Sequence, residues 1–94
     1  MVVGDKAWTF VTSHAVLLLE VRRNPDSTVR ELAGRAGLTE RQAHRVLADL
    51  VDAGYLERER RGRRNHYRVD ERRPLRHPSV STQEIGDLLQ ALGT

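Results

Sequence analysis

The chain contains no cysteine, which excludes disulfides, thiolate metal sites and cysteine nucleophiles. No apolar run approaches the roughly 20 residues of a membrane span. The opening MVVGDKAWTF lacks the charged-then-apolar pattern of a signal peptide, so cytoplasmic residence is the expectation. Lysine is almost missing as well: of 16 basic residues, only Lys6 is not arginine. Internal repeats and low-complexity tracts are absent. At 94 residues there is room for one domain. A domain of that size buries only about 60–65% of its unfolded-chain surface, so a partner subunit would help to stabilise it.

What is present is unevenly distributed charge. Residues 58–76 hold nine arginines against Glu59, Asp70 and Glu71, a local balance of +6 in a chain of net charge +3, so the remaining residues carry −3. Such asymmetry points to a polyanion-facing stripe on an otherwise ordinary surface. Guanidinium groups match phosphate geometry, but a GC-rich genome would also favour arginine. Where the arginines lie therefore counts for more than what they are.

The stretch LTERQAHRVLADLVDAGYLERERRGRRNHY, Leu38 to Tyr67, is the most informative. Thr39 is suited to cap a helix, and Gln42 can reach back to close a capping box. Ala43, Val46, Leu47, Leu50 and Val51 follow at helical spacing, and Gly54 stands where a left-handed C-terminal cap is wanted. Tyr55, Leu56 and Arg58 begin a strand, Asn65 to Val69 return antiparallel, and Gly62 supplies the positive-φ turn position. A capped helix with Arg41, His44 and Arg45 on its free face, followed by a basic ribbon, suits a DNA groove better than a substrate pocket.

Upstream, residues 1–12 form an arm that could include a short strand. Thr12 or Ser13 caps a first helix to about Arg23, apolar nearly all round, which demands burial on more than one side and suggests a subunit interface. Asn24-Pro25-Asp26 is a turn. Thr28 with Glu31 opens a second helix, ended by Gly37, and Thr28–Val29 could add a third strand. Gly34 inside that helix costs about 1 kcal/mol relative to alanine and would be explained by close packing. Helices joined by so short a turn have helix-turn-helix geometry. The domain spans 13–70, an extended basic linker spans 71–80, and residues 81–94 form a last helix. Ser81 and Glu84 can box that helix, and Ile85, Leu88, Leu89 and Leu92 make its apolar seam.

Residues 28–69, TVRELAGRAGLTERQAHRVLADLVDAGYLERERRGRRNHYRV, resemble the winged helix-turn-helix regulators of the MarR-like and ArsR-like group. With WTFVTSHAVLLL and Asn24-Pro25 before them, they look like small stand-alone actinobacterial members. The resemblance implies a mainly α fold with a β-hairpin wing (α+β), a third helix that binds double-stranded DNA, and a homodimer. The flanks are shorter than those of larger members, which leaves little room for a small-molecule effector.

On that reading Arg41 and Arg45 contact guanine or phosphate, and Gln42 divides its roles between adenine and the capping box. Thr39 is chiefly a cap that could also meet phosphate, and His44 is a phosphate or base contact. In the wing, Arg60, Arg61, Gly62, Arg63 and Arg64 form the DNA-facing set, with Arg63 or Arg61 at the tip entering a minor groove. The competing reading of this run is a solvated surface. Arg58 and Arg68 could instead pair with Glu57 and Glu59, and Arg72, Arg73 and Arg76 either extend the phosphate track or keep a linker soluble. Trp8, Phe10, Leu17, Leu18, Ile85, Leu88, Leu89 and Leu92 are the expected dimer interface. His14, His44, His66 and His77 show no ligand spacing, so no metal or cofactor is implied, and His14 reads as a core or interface residue. No acid, base and nucleophile converge, which argues against an enzyme. The alternative function is a protein-interaction adaptor that does not bind DNA.

Overall fold

The computed structural model describes residues 8–93, which form four helices and one hairpin. In chain order these are α1 (Ser13–Arg23), α2 (Val29–Ala36), α3 (Glu40–Asp52), β1 (Leu56–Arg61), β2 (Arg64–Val69) and α4 (Ile85–Gly93), with one 3-10 turn at Pro78–Val80. Much of the expected N-terminal arm lies outside the described residues, and Trp8 to Val11 form no strand.

Thr12 caps α1, its hydroxyl accepting from the Ala15 amide at 3.2 Å. The helix is apolar on several faces because several elements of the same chain cover it: α2, α3, β2 and α4 all pack against it. Leu17 and Val21 are 0% exposed and Leu18 is 1%. Each leucine buried in this way contributes about 1.5–3 kcal/mol. This corrects the interface expectation for Leu17 and Leu18, which are used up inside the chain's own core.

Thr28 and Glu31 form the capping box of α2, and Thr39 and Gln42 that of α3. Both helices end in the same way. Leu38 N–H reaches Ala33 O, and Tyr55 N–H reaches Leu50 O, both at 2.9 Å, while Gly37 and Gly54 take φ of +70° and +86°. This is the Schellman stop, which needs a left-handed residue just past the helix. Gly34 lies mid-helix, and a Cβ there would meet nothing within 4 Å, so the expected close packing is not its explanation.

The hairpin pairs Leu56 with Val69 through to Arg61 with Arg64. Gly62 and Arg63 are thus a two-residue loop. With φ of +60° at Gly62 and no positive φ at Arg63, it has the type II′ pattern. The third strand expected at Thr28–Val29 does not form, because Thr28 is spent as a helix cap. What remains of it is one bond, from Tyr67 N–H to Pro25 O at 2.9 Å.

Residues 71–80 are not an extended linker. Tyr55 Oη donates to Pro74 O at 2.5 Å, Leu75 N–H to Gln83 O at 2.9 Å, and Ile85 N–H to Arg73 O at 2.8 Å. These bonds fold the segment back and seat α4 on α1. The capping box expected at Ser81 and Glu84 is also absent. Ser81 Oγ donates to Pro78 O, and the Glu84 amide donates to Asp87 Oδ2 at 3.2 Å instead. Ile85 and Leu89 are buried in the common core, a second correction to the interface expectation. Leu88 is half-buried and Leu92 is 40% exposed.

Two glycine substitutions should move stability in opposite directions. Gly34→Ala, in an open helical position, should stabilise by about 1 kcal/mol. Gly54→Ala forces an L-residue into the left-handed region at a cost of about 1–2 kcal/mol. Thermal unfolding checks both, with a shift of about 4–8 °C expected per kcal/mol; shifts of the same sign would contradict these assignments.

Candidate nucleic-acid interface

Helix α3 divides cleanly. Ala43, Val46, Leu47 and Leu50 are buried against the core, while Arg41, His44, Arg45 and Ala48 are exposed. The exposed face is itself polarised: its bases lie in the first half, and Asp49 and Asp52 in the second. A helix prefers the reverse, because its N-terminal end carries partial positive charge and its C-terminal end partial negative charge. An adverse charge in a terminal turn costs about 0.3–1 kcal/mol, and only Glu40 follows the favourable rule in the first turn. Local rules are commonly broken where function overrides them.

Gln42 Oε1 accepts from the Thr39 amide at 2.9 Å, and Thr39 Oγ1 accepts from the Gln42 amide at 3.1 Å. The capping role is thus occupied, while the Gln42 side-chain amide N–H groups remain available as donors. Among the described residues, Arg41 and Arg45 form no ion pair with an acid. His14 is half-exposed rather than buried in core, and its Nε2 lies 2.8 Å from Asp49 Oδ2.

The wing arginines are not equivalent. Arg68 pairs with Glu57 and Arg61 with Glu59 at 3.6 Å. Arg60 Nε closes the turn by donating to Gly62 O at 2.8 Å. Arg64 turns back into the protein: its Nη1 donates to Asp26 O and to Glu31 Oε1, each at 3.0 Å. Arg58 and Arg63 have no acidic partner within 4.0 Å among the described residues, and Arg63 occupies the turn itself. In the segment beyond, Arg73 Nε approaches Gly54 O at 3.4 Å. The uncommitted cations are therefore fewer than the sequence run suggests: Arg41 and Arg45 on α3, Arg58 and Arg63 on the wing, and Arg72 and Arg76 beyond it, none with an acidic partner among the described residues.

The second role of Glu31 and the role of Asp26 are not legible in the sequence. The Thr28–Glu31 cap is a local signal, but Arg64 is 33 residues away, and no spacing rule connects them. His66 Nδ1 likewise meets Asp26 Oδ1 at 2.7 Å.

A cleft of about 650 Å³ opens between α1, the C-terminal half of α3 and α4, with Leu18, Leu50, Tyr55 and Leu88 among its lining residues. That is more space than the short flanks implied. Among the described residues, no three His, Asp or Glu side chains converge to hold a metal. No described helix is long and apolar enough to cross a membrane.

Three helices with α3 presenting a basic face, followed by a basic hairpin, define a winged helix-turn-helix domain. A MarR family profile matches residues 11–64, more than half of the chain. The chain belongs to the MarR family, whose members are DNA-binding transcription regulators and not enzymes. No curated protein matches it.

Glu31 supplies a pH dependence. Hydrogen bonding from the Thr28 amide, then from Arg64 and the Thr28 hydroxyl, lowers its pKa from 4.5 to about 2. A carboxylate with a depressed folded-state pKa contributes stability above its unfolded value and loses it as pH falls through the folded value. Its contribution should therefore be complete above about 4.5 and vanish toward 2. Urea midpoints measured across that window should fall less steeply for Glu31→Gln than for the native chain. Parallel curves would show that Glu31 is not the titrating group.

Proposed function

We propose that the chain is a homodimeric regulator that binds pseudo-palindromic duplex DNA, with the first turns of α3 in the major groove and the wing on the adjacent minor groove and backbone. The observation that carries this reading is the reversed charge polarity of α3. Arg41, His44 and Arg45 stand exposed on its N-terminal half; the helix dipole disfavours Arg41 in the first turn, and a polyanion would favour all three. In helix-turn-helix proteins these N-terminal positions meet base edges. Arg41 and Arg45 can fork onto guanine O6 and N7, and the free amide of Gln42 can donate to a base acceptor. Thr39 contributes at the phosphate backbone. At the wing tip Arg63 is the candidate for an A·T-narrowed minor groove, beside Gly62. Arg60 and Arg61 add flanking charge. Bound over a promoter, such a protein obstructs transcription, so repression is the proposed mode.

The dimer rests on what is left uncovered. Trp8 is 68% and Phe10 93% exposed, and the two rings touch only edge-to-face, with centroids 4.9 Å apart. Large exposed apolar groups mark interaction surfaces. Together with Leu88 and Leu92 of α4 they form the proposed contact, which would place two α3 helices about 34 Å apart, one turn of the duplex.

Charge reversal tests the DNA face. The double variant Arg45→Glu/Arg63→Glu should abolish duplex binding in a mobility-shift titration while its circular dichroism stays native, whereas undiminished affinity would overturn the assignment. Sedimentation tests the subunit interface. Native protein should be dimeric at micromolar concentration, with Trp8→Ala/Phe10→Ala shifted toward monomer; a native monomer would remove that part of the proposal.

A further inference from the structure

Besides the burial of Leu56 and Tyr67 in the core, the wing is hydrogen-bonded along one edge to one short segment. Tyr67 N–H donates to Pro25 O at 2.9 Å, His66 Nδ1 meets Asp26 Oδ1 at 2.7 Å, and Arg64 Nη1 donates to Asp26 O and Glu31 Oε1 at 3.0 Å. The acceptor oxygen of Glu31 is the one that also takes the Thr28 amide at 2.8 Å and the Thr28 hydroxyl at 3.1 Å. It is thus fixed by the cap of α2 before Arg64 reaches it. Arg64 is the first residue of β2, directly after the Gly62-Arg63 turn. No third strand holds this edge among the described residues, so Tyr67 supplies the backbone tie and side chains supply the rest.

We propose that Arg64 is a positioning residue for DNA binding and not a phosphate contact. It locks the base of the wing turn to the capped N-terminus of α2, and so sets where Arg63 stands relative to α3. Its Nη1 is committed to the protein, while its neighbour Arg63 has no acidic partner among the described residues and is the one to meet the duplex. Two residues adjacent in sequence, with the same side chain, thereby hold opposite roles.

The inference deepens the DNA-binding reading, and its test has one arm that does not depend on that reading. In the free protein, 15N relaxation of the Gly62 and Arg63 amides should show order near the rigid value of about 0.85, falling toward about 0.6 in Arg64→Gln and staying unchanged in Arg63→Gln. Glu31→Gln should loosen the tip in the same direction and lower the melting point modestly, with the far-UV circular dichroism staying native. Glutamine can close such a box, as Gln42 does with Thr39 in this chain. An equally rigid wing tip in both Arg64→Gln and Glu31→Gln would overturn the proposal.

With duplex, removing one phosphate-neutralising cation should flatten the log–log salt slope by about 0.9. Arg63→Gln should show that change if it meets a phosphate. Arg64→Gln should weaken binding at every salt concentration with the slope unaltered, and a slope reduced by a full unit in Arg64→Gln would make it a DNA contact and sink the assignment. If the native chain binds no duplex at all, the DNA-binding reading falls, and relaxation alone decides whether Arg64 holds the wing.

Discussion

The fold depends on the burial of α1. Leu17, Leu18 and Val21 face four other elements, more than any other helix meets, although α3 buries four residues of its own. α2 buries Leu32 and Ala33, α3 a single stripe, the hairpin little more than Leu56 and Tyr67, and α4 Ile85 and Leu89. A domain of this length has little core to spare, so one helix covered on nearly every side is an economical arrangement. It explains why residues 71–84 double back. Without their hydrogen bonds α4 would have no fixed seat, and α1 would expose one of its apolar faces.

With the core concentrated around α1, the outer face of α3 is left free of structural duty. That freedom permits a charge order that opposes the helix dipole, with arginines at the positive end and aspartates at the negative end. The capping box made by Thr39 and Gln42 and the Schellman stop at Gly54 stabilise the helix locally, offsetting the adverse charges. Helix termination, capping and groove-facing charge are in this sense a single design problem. The residues flanking the helix supply the stability that its exposed face gives up.

The helices were legible because their signals are local: caps, glycine stops and apolar spacing lie within one or two turns. The two-residue wing loop was legible for the same reason, through Gly62. What could not be read was the use of surfaces. The all-round apolar pattern of α1 shows that it must be covered but not by what, and within the chain α2, α3, β2 and α4 share that cover. The arginine run showed where charge is concentrated but not which guanidinium groups are neutralised, because Glu31 and Asp26 are distant in sequence from Arg64 and His66. Nor did the prolines of 71–80 signal that carbonyls beside them would anchor Tyr55 and Ile85. Of the residues expected at a subunit interface, Trp8, Phe10 and Leu92 stay exposed and Leu88 half-exposed, while Leu17, Leu18, Ile85 and Leu89 are internal.

On the proposed reading, this small core presents one basic face, made by the start of α3 and the wing tip, to a duplex. Amide chemical-shift mapping during titration with a duplex that the chain binds in a mobility-shift assay tests it without any substitution in the protein. The largest perturbations should fall on Thr39 to Arg45 and on Gly62 and Arg63, with the exposed side of α4 silent apart from dimer symmetry. Perturbations centred on α4 or the Trp8–Phe10 segment, with the start of α3 unmoved, would show that the duplex meets a different face.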